Sequence, residues 1–275
     1  MGDGNYLAID IGGSKTLFAV FDPTGKVLTE HKIITPKDYG RLIKEIDNAL
    51  KTELSQYKIS YACAAVPGWI DFDSGVAIGF GNLPWENVPV LHDLQQIMPG
   101  IKVWVHNDAK LAGLSEALVL QKKYRKLLYL TVSTGIGGGI IIDDVIDPDF
   151  ANFEPGQMEF EYQGQMMQWE DFASGRALKQ RYGKLASEIE DETIWKDYSQ
   201  LIALGLEELL ATIQPDVVVF GGGVGAHFEK FSDFLLEDLN AIKNPLVPIP
   251  PLIKAHRAEE AVIYGCYEYI QQNLR

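Results

Sequence analysis

Residues 7–16, LAIDIGGSKT, place a carboxylate, Asp10, near the end of an apolar run and follow it with Gly12, Gly13, Ser14, Lys15 and Thr16. Glycines let the main chain approach a polyanion, and consecutive N–H groups in such a turn form an anion-binding concavity. A carboxylate just before the turn can face the cation that accompanies the anion. This chemistry fits nucleotide phosphates with Mg²⁺, and an ordinary Gly-Gly hairpin fits the same residues. A P-loop does not fit. That motif runs G-x-x-x-x-G-K-[ST] into a helix, whereas here Ser14 precedes Lys15 and the following TLFAVFD is β-branched and aromatic.

The device recurs at Ser133-Thr134-Gly135 and at Gly221-Gly222-Gly223, each time closing an apolar run. Such turns can converge on one nucleotide, Gly12-Gly13 and Thr134-Gly135 at the phosphates and Gly222-Gly223 behind the nucleoside. Gly221-x-Gly223-x-x-Ala226 also has the spacing of a dinucleotide fingerprint, but a Rossmann unit opens its domain with that motif, and this one stands far along the chain. Asp108, which follows His106-Asn107 at a strand-to-helix junction, is the candidate general base. A hydroxyl becomes a competent phosphoryl acceptor when a carboxylate takes its proton as the bond forms. Helix capping by Asn107 or Asp108 is the competing explanation.

These residues need elements to hold them. The pattern predicts three strands within 6–33, a helix over 38–57 carrying Leu42, Ile46, Leu50 and Leu54, and a buried strand over 59–66. It predicts a short helix over 90–98, a strand over 103–106 and a helix over 107–121. A second round follows: strand, turn and strand over 126–143, helices over 169–182 and 195–213, a strand over 217–220 and a terminal helix over 258–274. Strands in hairpins, then joined by helices, twice over, imply an α/β fold of two similar lobes with a cleft between them. The expected division is 1–118, with 256–275 packing back on it, and 119–255.

The formal charge of −14 over 275 residues weighs against a nucleic-acid or anionic-membrane partner, since phosphate binding there needs a broad basic surface. Lys122, Lys123, Arg125 and Lys126 cluster between two apolar segments, as a solvated loop or as a docking point for a polyanion. Cys63 and Cys266 both lie in apolar runs and read as buried thiols of a reducing compartment. No signal core and no run of about 20 apolar residues is present, so a cytoplasmic protein is expected.

Asp10-IGGSKT, Val66-Pro67-Gly68, Asn82-Leu-Pro-Trp85, Asn107-Asp108-Ala109, STGIGGG from Ser133, Glu154-Pro-Gly156, Glu170-DFASG and FGGGV from Phe220 together resemble the ROK family of sugar kinases, in the actin-like ATPase superfamily, over nearly the whole chain. The resemblance implies two ribonuclease-H-like lobes, ATP with Mg²⁺ as donor and a hexose as acceptor, foremost at the 6-hydroxyl of glucose. N-acetylmannosamine, mannose or fructose kinases, a polyphosphate-dependent glucokinase, and a catalytically silent sugar sensor are the alternatives. The resemblance places Gly68, Asn82, Asn107, Asp108, Glu154, Gln157 and Glu170 around the sugar. It places Asp10, Gly12, Gly13, Lys15, Thr134, Gly135, Gly222 and Gly223 around the nucleotide, with Asp10 holding Mg²⁺ through water, and it implies a homodimer.

Two departures stand out. Gln157 occupies the position where many relatives carry a His, and QMMQ at 165–168 replaces their Cys-rich zinc knot, so no zinc site is expected. Met158, Phe160, Met166 and Trp169 are expected to hold the segment by packing, and Gln157 to take over the imidazole's hydrogen bond to a sugar hydroxyl. The family's repressors begin with a helix-turn-helix, whereas here the first strand is expected from Tyr6, which speaks against a DNA-binding regulator. Gly135→Val is expected to abolish ATP binding more than sugar binding, because a β-branched side chain blocks close approach to the phosphates.

Overall fold

The computed structural model describes residues 4–80, 83–242, 245–257 and 260–274. The chain divides into two compact units, 1–115 with 260–275, and 116–259.

The first unit opens with a meander of β1 (Asn5–Ile11), β2 (Lys15–Phe21) and β3 (Val27–Ile34), all antiparallel. Then come α1 (Tyr39–Lys51), β4 (Ile59–Val66), a small antiparallel sheet of β5 (Trp69–Asp71), β6 (Val76–Gly79) and β7 (Glu86–Val88), α2 (Val90–Ile97), β8 (Lys102–Asn107) and α3 (Asp108–Val119), whose last turn carries the chain into the second unit. The main sheet runs β3-β2-β1-β4-β8, with β4 parallel to both β1 and β8. β1 and β2 are covered on both faces and therefore read as continuous apolar runs, whereas β3, at the edge, alternates half-buried with exposed residues. Asp38 caps α1 by accepting the N–H of Arg41 at 2.7 Å, which starts the helix where Leu42, Ile46 and Ala49 face the sheet. The register sets Asp10 beside Ala65 and Ala65 beside His106. The C-terminal ends of three parallel strands thus share one edge, and the residues just beyond them meet there.

The second unit repeats this plan. β9 (Lys126–Val132), β10 (Ile136–Ile142) and β11 (Val145–Ile146) form the meander; a hairpin of β12 (Glu159–Tyr162) and β13 (Gln165–Gln168) leads into α4 (Trp169–Ala173) and α5 (Gly175–Tyr182). α6 (Glu192–Ile213), β14 (Val217–Gly221), the single turn α7 (Gly222–Gly225), α8 (Ser232–Ile242) and β15 (Leu252–Lys254) follow. The order β11-β10-β9-β14-β15 repeats the first sheet, and α9 (Ala261–Asn273) returns to the first unit, where Tyr267 stacks on Phe21 at 5.1 Å. Trp169, Trp195, Tyr198, Phe220 and Phe231 fill the second core, and Leu7, Ile9, Phe18, Leu42 and Ile46 belong to the first. Buried Glu116, in the last turn of α3, accepts the N–H groups of His256 and Arg257, each at 2.8 Å.

Three local differences from the sequence reading have physical reasons. Residues 169–182 are two helices, because Ser174 is extended (φ −75°, ψ 168°) and its hydroxyl caps α5 by accepting the N–H of Ala177. Residues 159–168 form a hairpin whose turn, Gln163 and Gly164, has φ of 53° and 77°, the positive pair of a two-residue type I′ turn. Met166 sits on that hairpin 64% exposed and does not share the packing expected of it, whereas Met158 and Phe160 pack against the core and Trp169 is fully buried. Cys63 and Cys266 are buried free thiols. Among the described residues no helix is long and apolar enough to cross a membrane.

Candidate active site

In the first unit the turn after β1 is closed by the Gly12 N–H, which donates to the Lys15 carbonyl at 3.0 Å. Thr35, just beyond β3, braces it: its hydroxyl donates to the Gly12 carbonyl at 2.7 Å, its N–H donates to the Ser14 carbonyl at 3.1 Å, and its Oγ1 lies 2.9 Å from that of Thr16. Nothing in the local pattern around Thr35 announces this role, which arises from the β2–β3 register. Gly13 is half-buried in the turn and Lys15 exposed at its end. Burial foremost, and then the nearby Asp108 carboxylate, push the Asp10 carboxyl up to about 7, while the Lys15 ammonium pulls it down.

The β8–α3 junction separates the capping role from the candidate base. Asn107 Oδ1 accepts the N–H groups of Ala109 at 2.9 Å and Lys110 at 3.3 Å, so Asn107 serves as the cap. Its Nδ2 donates to the Gly68 carbonyl at 2.8 Å, tying the junction to the turn after β4. Gly68 is required there: its φ is +87°, and a Cβ would lie 1.9 Å from the Gly79 carbonyl oxygen. Asp108 Oδ1 shares the Ala109 N–H at 2.7 Å, which fixes the carboxylate's orientation. Burial and the Lys110 ammonium hold the neighbouring His106 down at about 3, and its Nδ1 accepts the Asn107 N–H at 2.9 Å. A ring that stays neutral and committed in this way is a poor proton acceptor. Asn82 lies outside the described residues.

In the second unit Ser133 N–H donates to the Gly135 carbonyl at 2.9 Å, and Gly175 N–H donates to the Ser133 carbonyl at 2.6 Å, fixing the start of α5 against the turn. Glu170 Oε2 accepts the Ile136 N–H at 3.1 Å. The Glu154-Pro155-Gly156 segment lies on the same turn, since a Cβ on Gly156 would come within 2.3 Å of the Ile136 carbonyl oxygen. Gln157 closes that segment by donating its N–H to the Glu154 carbonyl at 3.1 Å, with its side chain exposed. Glu154, Gln157, Glu170 and Gly135 are thus brought together.

A cavity of about 630 Å³ opens beside them, lined by Thr134, Gly223 and residues of and around α5 that sequence reading missed, including Arg176, Lys179 and Leu185. Gly222 turns the chain at its edge with φ +79°, where a Cβ would meet the Val132 carbonyl oxygen at 2.6 Å. Hydroxyls and glycine amides at one end, cations along a helix and apolar Leu185 and Val224 suit an anionic, partly flat ligand. The only advance signal was the cationic run Arg176, Lys179 and Arg181 on a short helix after a glycine.

The structure changes the expectation for Gly135. A Cβ there would lie 2.5 Å from Glu170 Oε2, so Gly135→Val displaces the carboxylate as well as crowding the turn. Nucleotide and sugar affinities are expected to fall together, each by tenfold or more, on the order of 1.4 kcal/mol, with the far-ultraviolet circular dichroism unchanged. Loss of nucleotide binding alone in calorimetric titrations would show that Glu170 moves aside freely.

The sequence profile of the ROK family matches residues 6–273 of the chain. The N-acetyl-D-glucosamine kinase of Haemophilus influenzae is 24% identical over 297 residues, spanning 94% of this chain and 97% of its own length. The fructokinase of Zymomonas mobilis is 30% identical over 244 residues, 80% of this chain and 79% of its own. The ROK glucokinase from Streptomyces griseus, solved in complex with glucose and AMPPNP, superposes with a TM-score of 0.82 at 23% identity, covering 98% of this chain and 100% of that one. This last likeness shows the fold: two ribonuclease-H-like lobes of the actin-like ATPase kind.

Proposed function

The chain belongs to the ROK family, and on that premise we propose that it is a sugar kinase that transfers the γ-phosphoryl group of Mg·ATP to a hexose hydroxyl, the 6-hydroxyl of glucose first among the candidates. The observation that carries this reading is the β8–α3 junction, where Asn107 caps the helix and leaves Asp108 beside Asp10 as an oriented carboxylate. Asp108 takes the hydroxyl proton as the oxygen attacks the γ-phosphorus, and ADP departs from the other side.

By the family resemblance, the amides of Gly12-Gly13 with Lys15 and those of Thr134-Gly135 are assigned to the phosphates, and Gly222 and Gly223 to the adenosine. Asp10 fits a cation-binding role. The Asp108 carboxylate raises the proton affinity of Asp10, and a divalent cation beside Asp10 would relieve that repulsion. Mg²⁺ bound there would neutralise phosphate charge. The same resemblance assigns Gly68, Asn82, Asn107, Glu154, Gln157 and Glu170 to the acceptor, and positioning supplies most of the rate in such a reaction.

Relatives of comparable similarity act on fructose and on N-acetyl-D-glucosamine, so the acceptor is read from a panel. ADP release is followed with glucose, mannose, fructose, N-acetylglucosamine and N-acetylmannosamine, then sugar phosphate is measured with polyphosphate as donor. Turnover with ATP and at least one hexose is expected; no transfer to any sugar from either donor would favour a sugar-binding sensor.

Because the Gln157 side chain is exposed, a sugar hydrogen bond made by it is worth about 1 kcal/mol, less than a buried contact. Gln157→Ala is therefore expected to raise the sugar KM about fivefold with kcat within a factor of about two. Unaltered KM would remove Gln157 from the acceptor site.

A further inference from the structure

One carboxylate joins the cavity of the second unit to the turn beside it. Glu170 Oε2 accepts the Ile136 N–H at 3.1 Å, and its Oε1 lies 3.8 Å from Nη2 of Arg176. Arg176 is the second residue of α5, lines the cavity, and also stands 3.6 Å from Oδ1 of Asp171. Both separations exceed the roughly 2.7–2.9 Å of a direct charged hydrogen bond, and the guanidinium is 42% exposed against 19% for Glu170. A guanidinium held this loosely can exchange carboxylates for a phosphate group, whose oxygens its planar fork matches at two points.

We infer that Arg176 couples the two substrates. Before nucleotide binds, it is shared between Glu170 and Asp171. With a nucleotide phosphate in the cavity it turns to that group, which frees Glu170 Oε1 for a sugar hydroxyl while Oε2 keeps the Ile136 N–H. The inference rests on the kinase reading and adds to it a residue that links donor binding to acceptor affinity. Arg176 acts on the sugar only through Glu170, so it is a positioning residue toward the acceptor. The coupling must be reciprocal: whatever factor nucleotide contributes to sugar affinity, sugar contributes to nucleotide affinity.

The test is calorimetric titration of the full chain with glucose, or with the best acceptor of the panel, in the presence and absence of saturating Mg·AMPPNP, and the reverse titration. In the wild type each ligand is expected to tighten the other at least fivefold, the lower end of ordinary coupling. In Arg176→Met that factor falls to about one, AMPPNP alone binds more weakly, and the sugar Kd without nucleotide is unchanged or tighter. Arg176→Lys, which keeps the charge and loses the fork, falls between. A merely structural arginine would instead weaken both single-ligand affinities and lower the melting temperature. Cooperativity that survives in Arg176→Met, or its absence in a wild type that binds both ligands, overturns the inference alone. A wild type that binds neither ligand sinks the kinase reading with it.

Discussion

Asp108→Asn is expected to lower kcat by on the order of 10²–10⁴, the usual contribution of a positioned general base, while sugar affinity and melting temperature stay near wild type. The fold tolerates the exchange because the cap of α3 is Asn107, whose Oδ1 accepts the Ala109 and Lys110 N–H groups without help from residue 108. The amide oxygen introduced by the substitution can still accept the Ala109 N–H that orients the native carboxylate. What is lost is the proton acceptor. His106 cannot replace it, since burial keeps that ring neutral down to about pH 3 and its Nδ1 is taken by the Asn107 N–H. Steady-state kinetics at saturating sugar decide the matter, and near wild-type turnover would reduce Asp108 to a helix-terminal residue.

Asp10→Asn should separate stability from activity in opposite directions. The folded protein holds the Asp10 proton up to about pH 7, against 3.8 for an unperturbed carboxyl, because burial and Asp108 both disfavour the charge. A carboxyl whose folded pKa is raised loses stability as pH climbs from its unfolded value to its folded one, and above that the whole cost is present. The ceiling is about 4 kcal/mol, and water reaching the half-buried carboxyl brings it nearer to about 1–3 kcal/mol. Removing the charge is thus expected to raise the melting temperature by a few degrees at pH 8.5 and by less at pH 5.5. Turnover should fall at least 100-fold, about 2.7 kcal/mol, if Asp10 holds the cation beside the phosphates. Calorimetric melting at the two pH values checks the first part. A melting point that drops, or a gain larger at the lower pH, would contradict the account of Asp10.

Much of this was legible along the chain because it is written in runs and turns. β1, β8, β9 and β14 are apolar runs ending where the glycines or polar residues begin, so Asp10, Asn107, Thr134 and Gly222 could be placed at strand ends from the pattern alone. The strands β5, β6, β7 and β15 span three or four residues each, too few for a period to show, and β12–β13 was masked by its polar composition although Gln163-Gly164 marks its turn. Tertiary roles were the least visible. Thr35 braces a turn more than twenty positions earlier, Arg176 reaches Glu170 only because Ser174 breaks the helix, and Met166 turns outward because its place on the hairpin faces away from the core. No local pattern encodes such contacts, which depend on how the elements meet.

The most direct test of the central claim is a phosphorus-31 NMR spectrum of the wild-type protein incubated with Mg·ATP and glucose. The account predicts that the γ-phosphate resonance disappears while a sugar 6-phosphate resonance grows in equal amount with ADP, and that with Asp108→Asn the same spectrum takes hundreds of times longer or more to appear. Release of the γ-phosphate only as inorganic phosphate, or an unchanged ATP spectrum with glucose and with every other hexose of the panel, would contradict it.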